Sequence, residues 1–141
     1  MQDMRISTDP AELDVPMIHR FLSQKAYWAG GIARDLVEKS IAHSLCFGGY
    51  VDGQQVAFAR VVTDRATFAH LKDVFVLPAY RGRGYGIAIT QAVMSHPDLR
   101  RVAFTLGTGD AHALYARFGF APLPDPTRSM LRPGTFLEPV D

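Results

Sequence analysis

Val74-Phe75-Val76-Leu77-Pro78-Ala79-Tyr80-Arg81-Gly82-Arg83-Gly84-Tyr85-Gly86 is the stretch of this 141-residue chain that decides how the rest is read. It begins as an apolar β-branched strand, breaks at Leu77-Pro78, turns through glycines at alternating positions and enters a helix. Gly82, Gly84 and Gly86 leave the turn without β-carbons, so successive N–H groups can point at one anion and φ can become positive. Arg81 and Arg83 add fixed charge, and the first turn of the helix adds a partial positive charge. Strand, basic glycine turn and helix start in this order hold a phosphate or pyrophosphate against backbone amides. The competing reading is a plain surface turn with two solvated arginines.

Two familiar phosphate loops do not fit. The dinucleotide fingerprint needs a third glycine where Ile87 stands, and no acidic residue ends a following strand at the required distance. The triphosphate loop needs Gly-Lys-Ser/Thr, which does not occur. What remains is Arg-x-x-Gly-x-Gly, from Arg81 through Gly84 to Gly86. It resembles the acyl-CoA loop of the GNAT acetyltransferases, and Asp73 to Tyr80 resembles the strand and turn that lead into that loop. A second resemblance lies in Ala111-His112-Ala113-Leu114-Tyr115-Ala116-Arg117-Phe118-Gly119-Phe120, where a helical tyrosine is followed four residues later by Gly-Phe. Apart from the family, Ala111, Leu114, Tyr115 and Phe118 fall at i, i+3, i+4 and i+7, so Tyr115 would fill the apolar face of a helix ended by Gly119.

The resemblance implies an α/β (α+β) GNAT fold: a mixed, mostly antiparallel sheet of six to seven strands flanked by about four helices. A splayed parallel strand pair would take the pantetheine arm of acetyl-CoA. It implies an acetyl-CoA-dependent N-acetyltransferase acting on a primary amine by direct attack in a ternary complex. Phe75, Val76, Arg81, Gly82, Arg83, Gly84, Tyr85 and Gly86 would then bind the co-substrate, and Tyr115 would protonate the departing sulfur. Asp73 would take the amine proton, although Lys72 or Arg60 offers it an ordinary ion pair instead. Tyr27, Trp28 and Arg34 would cover the acceptor side, while Trp28 could equally be a core residue. One departure stands out: Thr108 replaces the asparagine that many members place seven residues before the tyrosine, and Asp110 is expected to cap the helix. The rival function is a non-catalytic acyl-CoA-binding sensor or interaction module on the same fold.

The whole chain limits the alternatives. Its length fits one domain spanning residues 1–141, and 48% hydrophobic content suffices for a core of that size. A net charge of +1 with mixed signs implies no nucleic-acid surface. Cys46, the single cysteine, excludes an internal disulfide and reads as a buried thiol. The five histidines lack ligand spacing, so no metal is expected; His70 reads as facing either the cleft or, the expectation here, an exposed strand face. Met1 to Arg5 carries no export signal and no apolar run is long enough for a bilayer, so a cytoplasmic protein with no membrane partner is expected.

The remaining elements follow from local signals. Met4 to Thr8 is a short strand; Asp14 caps a helix with Pro16 in its first turn; Arg34 to His43 is a second helix. Leu45 to Val51 and Gln55 to Thr63 form a hairpin through Asp52-Gly53, and Thr67 to Leu77 continues it through Asp64-Arg65. Helix Gly84 to Met94 then crosses to strand Arg101 to Leu106, which should lie parallel beside the Thr67 strand. Asp110 to Phe118 is the last helix, and the proline-punctuated end is expected to form short edge strands that would suit a homodimer.

Overall fold

A computed structural model describes residues 3–139; Met1, Gln2, Val140 and Asp141, including the first residues of the export-signal reading, lie outside the described residues. The strands are β1 (Arg5–Ser7), β2 (Leu45–Val51), β3 (Gln54–Thr63), β4 (Phe68–Val76) and β5 (Ala103–Leu106). The helices are α1 (Val15–Gln24), α2 (Arg34–Ala42), α3 (Tyr85–Ser95) and α4 (His112–Ala116). The sheet runs in the order β1-β2-β3-β4-β5, antiparallel except for the parallel pair β4 and β5. It is the mixed α/β architecture expected.

Local chemistry accounts for the joints. Asp52 (φ 51°) and Gly53 (φ 77°) both take the left-handed conformation that a two-residue hairpin turn requires. At the next turn Asp64 Oδ1 accepts from the N–H of Ala66, Thr67 and Phe68, which fixes the chain reversal into β4. Asp14 caps α1 by accepting from the Met17 N–H at 3.1 Å, with Pro16 in the first turn where its missing N–H costs nothing.

Both sheet faces are covered. On one, α1 and α2 bury Ile18, Phe21, Leu22, Val37 and Ile41 against Cys46, Phe58 and Phe75. On the other, α3 buries Ile89 and Val93 against Ala59, Val61, Ala69 and Leu71, with Tyr115 of α4 beside them.

The β3–β4 register slips: Phe58 pairs with Phe75, whereas Arg60 pairs with Lys72. β4 therefore carries one extra residue, a bulge at Asp73-Val74, where Asp73 adopts φ 55°. Ala69 and Leu71 face α3 before the bulge, and Phe75 faces α1 after it, stacked on Phe21 with 3.9 Å between ring centroids. Beyond the last β4–β5 pair, Leu71 with Leu106, β4 continues with no neighbouring strand on that side among the described residues, so the parallel strands part as a gap.

The expected six to seven strands are five among the described residues. The described part of the carboxyl-terminal segment, up to residue 139, forms none, because Pro122, Pro124, Pro126 and Pro133 remove the donors a ladder needs. The edge strands expected to suit a homodimer are thus not formed. Met130 and Leu131 of this segment are 98% and 85% exposed. No helix among the described residues is long and apolar enough to cross a membrane.

Candidate active site

Gly84 is the N-cap of α3 at φ 82° and Gly82 has φ 78°, so both occupy backbone that side chains rarely adopt. A β-carbon built on Gly82, Gly84 or Gly86 would meet nothing within 4 Å, which leaves an open cradle in front of the first turn of α3. Among the described residues, no protein group accepts from the N–H of Gly82, Gly84 or Gly86. Unanswered donors converging at a helix start suit the diphosphate of a CoA molecule. Arg81 adds charge at the cradle and is itself tied to the strand, Nε donating to Val76 O at 3.1 Å. Arg83 turns away: it does not line the cleft, and its guanidinium lies 5.3 Å from the Tyr80 ring centroid.

Two cavities meet in the gap between β4 and β5. One, of about 530 Å³, runs from Arg81, Gly82, Gly84, Tyr85 and Gly86 along Val74, Phe75 and Val76. The other, of about 470 Å³, opens past His70, Lys72, Asp73 and the 107–109 segment. Tyr27, Trp28, Val74, Asp110, Ala111 and Tyr115 line both. The junction is where a group carried along the first cavity meets one entering from the second.

Tyr115 stands at that junction, 8% exposed and packed edge-on to Phe120. Burial first, then the nearby Asp110 and Tyr27, pushes its phenol pKa above the usual value, so it remains a proton donor through neutral pH. The short α4 begins at His112, and Asp110 is not its cap as expected; Thr108 Oγ1 instead accepts from the Ala111 N–H at 3.0 Å. A threonine two residues earlier satisfies the donor first, which leaves the Asp110 carboxylate at the cavity wall.

Asp73 also borders the cleft, but its carboxylate is committed. Arg60 Nε donates to Oδ2 at 2.8 Å and Trp28 Nε1 donates to Oδ1 at 2.8 Å. The ion pair is enclosed, with side chains 12% and 8% exposed for Arg60 and Asp73. Trp28 is thereby fixed as a wall, with Tyr27 edge-on to it at 5.0 Å. Arg34 is not brought to the cleft: it pairs with Glu38 on α2, at 2.9 Å in the open.

His70 is a cleft residue, against the expectation of an exposed strand face. Its Nδ1 lies 2.7 Å from Thr105 Oγ1 on the paired strand. Period-two alternation alone cannot say which face of a sheet is left open by a neighbour's end, so the sequence leaves this placement undetermined. Cys46 is buried away from the site, its thiol pushed up to about 12 chiefly by burial, and is no nucleophile. Among the described residues no group of three or more metal-ligating side chains occurs.

Comparison with known proteins agrees with this geometry. The sequence profile described as acetyltransferase (GNAT) domain matches residues 42–122, more than half of the chain. A Gibberella zeae protein provisionally named an acetyltransferase is 33% identical, covering 71% of this chain and 70% of its own. A Xanthomonas campestris crystal structure, described as an acetyltransferase of the GNAT family, superposes with TM-score 0.93 at 55% identity over 97% of both chains. The Arabidopsis thaliana glucosamine-6-phosphate N-acetyltransferase shares the fold at TM-score 0.66 and 14% identity, covering 93% of this chain and 98% of its own. With its glycine cradle, its parted parallel strands and these relatives, the chain belongs to the GNAT acetyltransferase family.

Proposed function

We propose that this chain, acting as one domain in the cytoplasm, transfers the acetyl group of acetyl-CoA to a primary amine of a small molecule, peptide or protein. The observation that carries the reading is the continuous cavity from the glycine cradle, through the β4–β5 gap, to Tyr115. Gly82, Gly84 and Gly86 would hold the diphosphate with their N–H groups and Arg81 with its charge, while the unpaired edge of β4 at Val74 and Val76 would bond the pantetheine arm. Bound acetyl-CoA supplies an activated acyl thioester.

The residues of the junction do the rest. A backbone N–H near Val76 would face the developing charge on the acyl oxygen, a contribution of about 3 kcal/mol where such a donor is well placed. Tyr115 Oη gives its proton to the departing sulfur, and its raised pKa keeps that proton available. Tyr27 and Trp28 present an aromatic edge to the acceptor. Asp73 holds that wall in place instead of taking a proton, since Arg60 and Trp28 occupy both of its oxygens.

Thiol release from acetyl-CoA with a panel of amines tests the reading. Tyr115→Phe should lower turnover about 10²-fold or more while leaving CoA affinity, measured by calorimetry, unchanged. Tight CoA binding without turnover on any amine would make the protein a sensor instead.

A further inference from the structure

Transfer to an amine leaves one task without a residue. A primary ammonium with a pKa of about 10.4 is neutral in roughly one molecule in 2,500 at pH 7, so some group must take its proton within the cleft. Asp73 is committed to Arg60 and Trp28. Asp110 is exposed, and no protein group fixes its carboxylate among the described residues.

His70 has the position that Asp73 lacks. It sits on β4 one residue before the strands part, half-buried, and projects to the same sheet face as Arg60 and Lys72. Tyr115 reaches the same cavity from the α3 side. The imidazole and the phenol therefore face one cavity, with Trp28 in its wall. Thr105, paired with His70 across the parallel strands, holds the ring through its hydroxyl at 2.7 Å. We propose that His70 is the general base of the reaction and Thr105 its positioning residue: Nδ1–H donates to Thr105 Oγ1, and the Nε2 lone pair faces the acceptor amine. The inference rests on the acetyl-transfer reading above.

Electrostatics favours the neutral ring that a base must be. Burial, then the positive charges of Lys72 on β4 and Arg60 on β3, hold the imidazole below its ordinary pKa. Of the other groups around the cavity, Asp73 is paired with Arg60, Asp110 lies on the α4 side, Tyr27 lines the wall, and the Tyr115 phenol, its pKa raised by burial, keeps its proton at pH 7. The protons balance. His70 Nε2 takes one proton from the ammonium and releases it to solvent through the open mouth. The freed lone pair forms the N–C bond as the C–S bond breaks. Tyr115 Oη protonates the sulfur, and the second proton shed by nitrogen restores Tyr115. The net release is one proton per acetyl group moved.

The test is kcat/KM for acetyl transfer against pH, with CoA affinity measured in parallel. The parent enzyme should lose activity on the acid side with a midpoint below about 6.5 and be flat above it through neutrality. His70→Gln should fall about 10²- to 10⁴-fold at pH 7 and climb tenfold per pH unit with no plateau, because only amine already neutral can react. Thr105→Val should lower kcat and displace the acid midpoint with KM for acetyl-CoA unchanged, and Thr105→Ser should restore both. An unchanged profile in His70→Gln, with the parent active, overturns this inference and leaves the transfer reading intact. No turnover by the parent with any amine overturns both.

Discussion

Replacing Arg60 with methionine would enclose the Asp73 carboxylate with one oxygen unanswered. At present Arg60 Nε lies 2.8 Å from Asp73 Oδ2, Arg60 Nη1 donates to Ser44 Oγ at 3.0 Å, and among the described residues only Trp28 serves the other carboxylate oxygen. With the two side chains 12% and 8% exposed, water cannot fully replace the guanidinium. Stranding one member of such a pair costs about 3–5 kcal/mol, against a total stability on the order of 7–20 kcal/mol at about 0.05–0.15 kcal/mol per residue. At roughly 3 °C per kcal/mol, the melting temperature should fall by on the order of 10 °C, and the urea midpoint should fall with it. Arg60→Met combined with Asp73→Asn should recover part of the loss, since no charge is then left alone. A single-variant loss below about 1 kcal/mol, or strictly additive losses in the double variant, would refute the view that the pair is one enclosed unit.

Other expectations are quicker to check. Arg81→Ala should weaken CoA binding several-fold in calorimetry, with a reduced salt dependence, whereas Arg83→Ala should change it little, because only Arg81 borders the cradle; equal effects would sink the distinction. Cys46→Ala should leave transfer intact. It should also flatten part of the alkaline loss of stability: the folded thiol keeps its proton up to about 12, while an unfolded one loses it near 8.5, so stability present below that lower value declines as pH rises between the two. Chemical denaturation from pH 8 to 11 would measure this, and an unchanged slope in the variant would contradict it.

Features set by neighbours in sequence were legible. Asp52-Gly53, Asp14 with Pro16, and the glycines after Pro78 each impose backbone geometry within a few residues, and each element formed where those signals lie. Features set by distant contacts were not. The Trp28–Asp73 bond joins residues 45 apart, and the bulge that presents Asp73 to it has no local signature, since aspartate at φ 55° looks like any strand residue in a sequence. His70 was ambiguous for a similar reason: its environment depends on where β5 stops. Arg34 was misplaced because an i,i+4 partner, Glu38, holds it on its own helix. At the carboxyl end the apolar residues suggested strands, and the prolines among them decided otherwise.

The surplus residue in β4 makes that strand obey two opposite parity rules. Upstream of it, odd positions belong to the α3 side; downstream, odd-numbered Phe75 belongs to the α1 side. Deleting one residue at 73 or 74 would therefore do more than shorten the strand: it would exchange inside for outside in everything between the deletion and the cradle, breaking the Phe21–Phe75 stack and inverting the edge offered to the pantetheine arm. Transplanting this segment into a relative thus demands the whole span from Phe68 to Gly86 as one cassette, because a junction placed inside it would join halves that are out of phase.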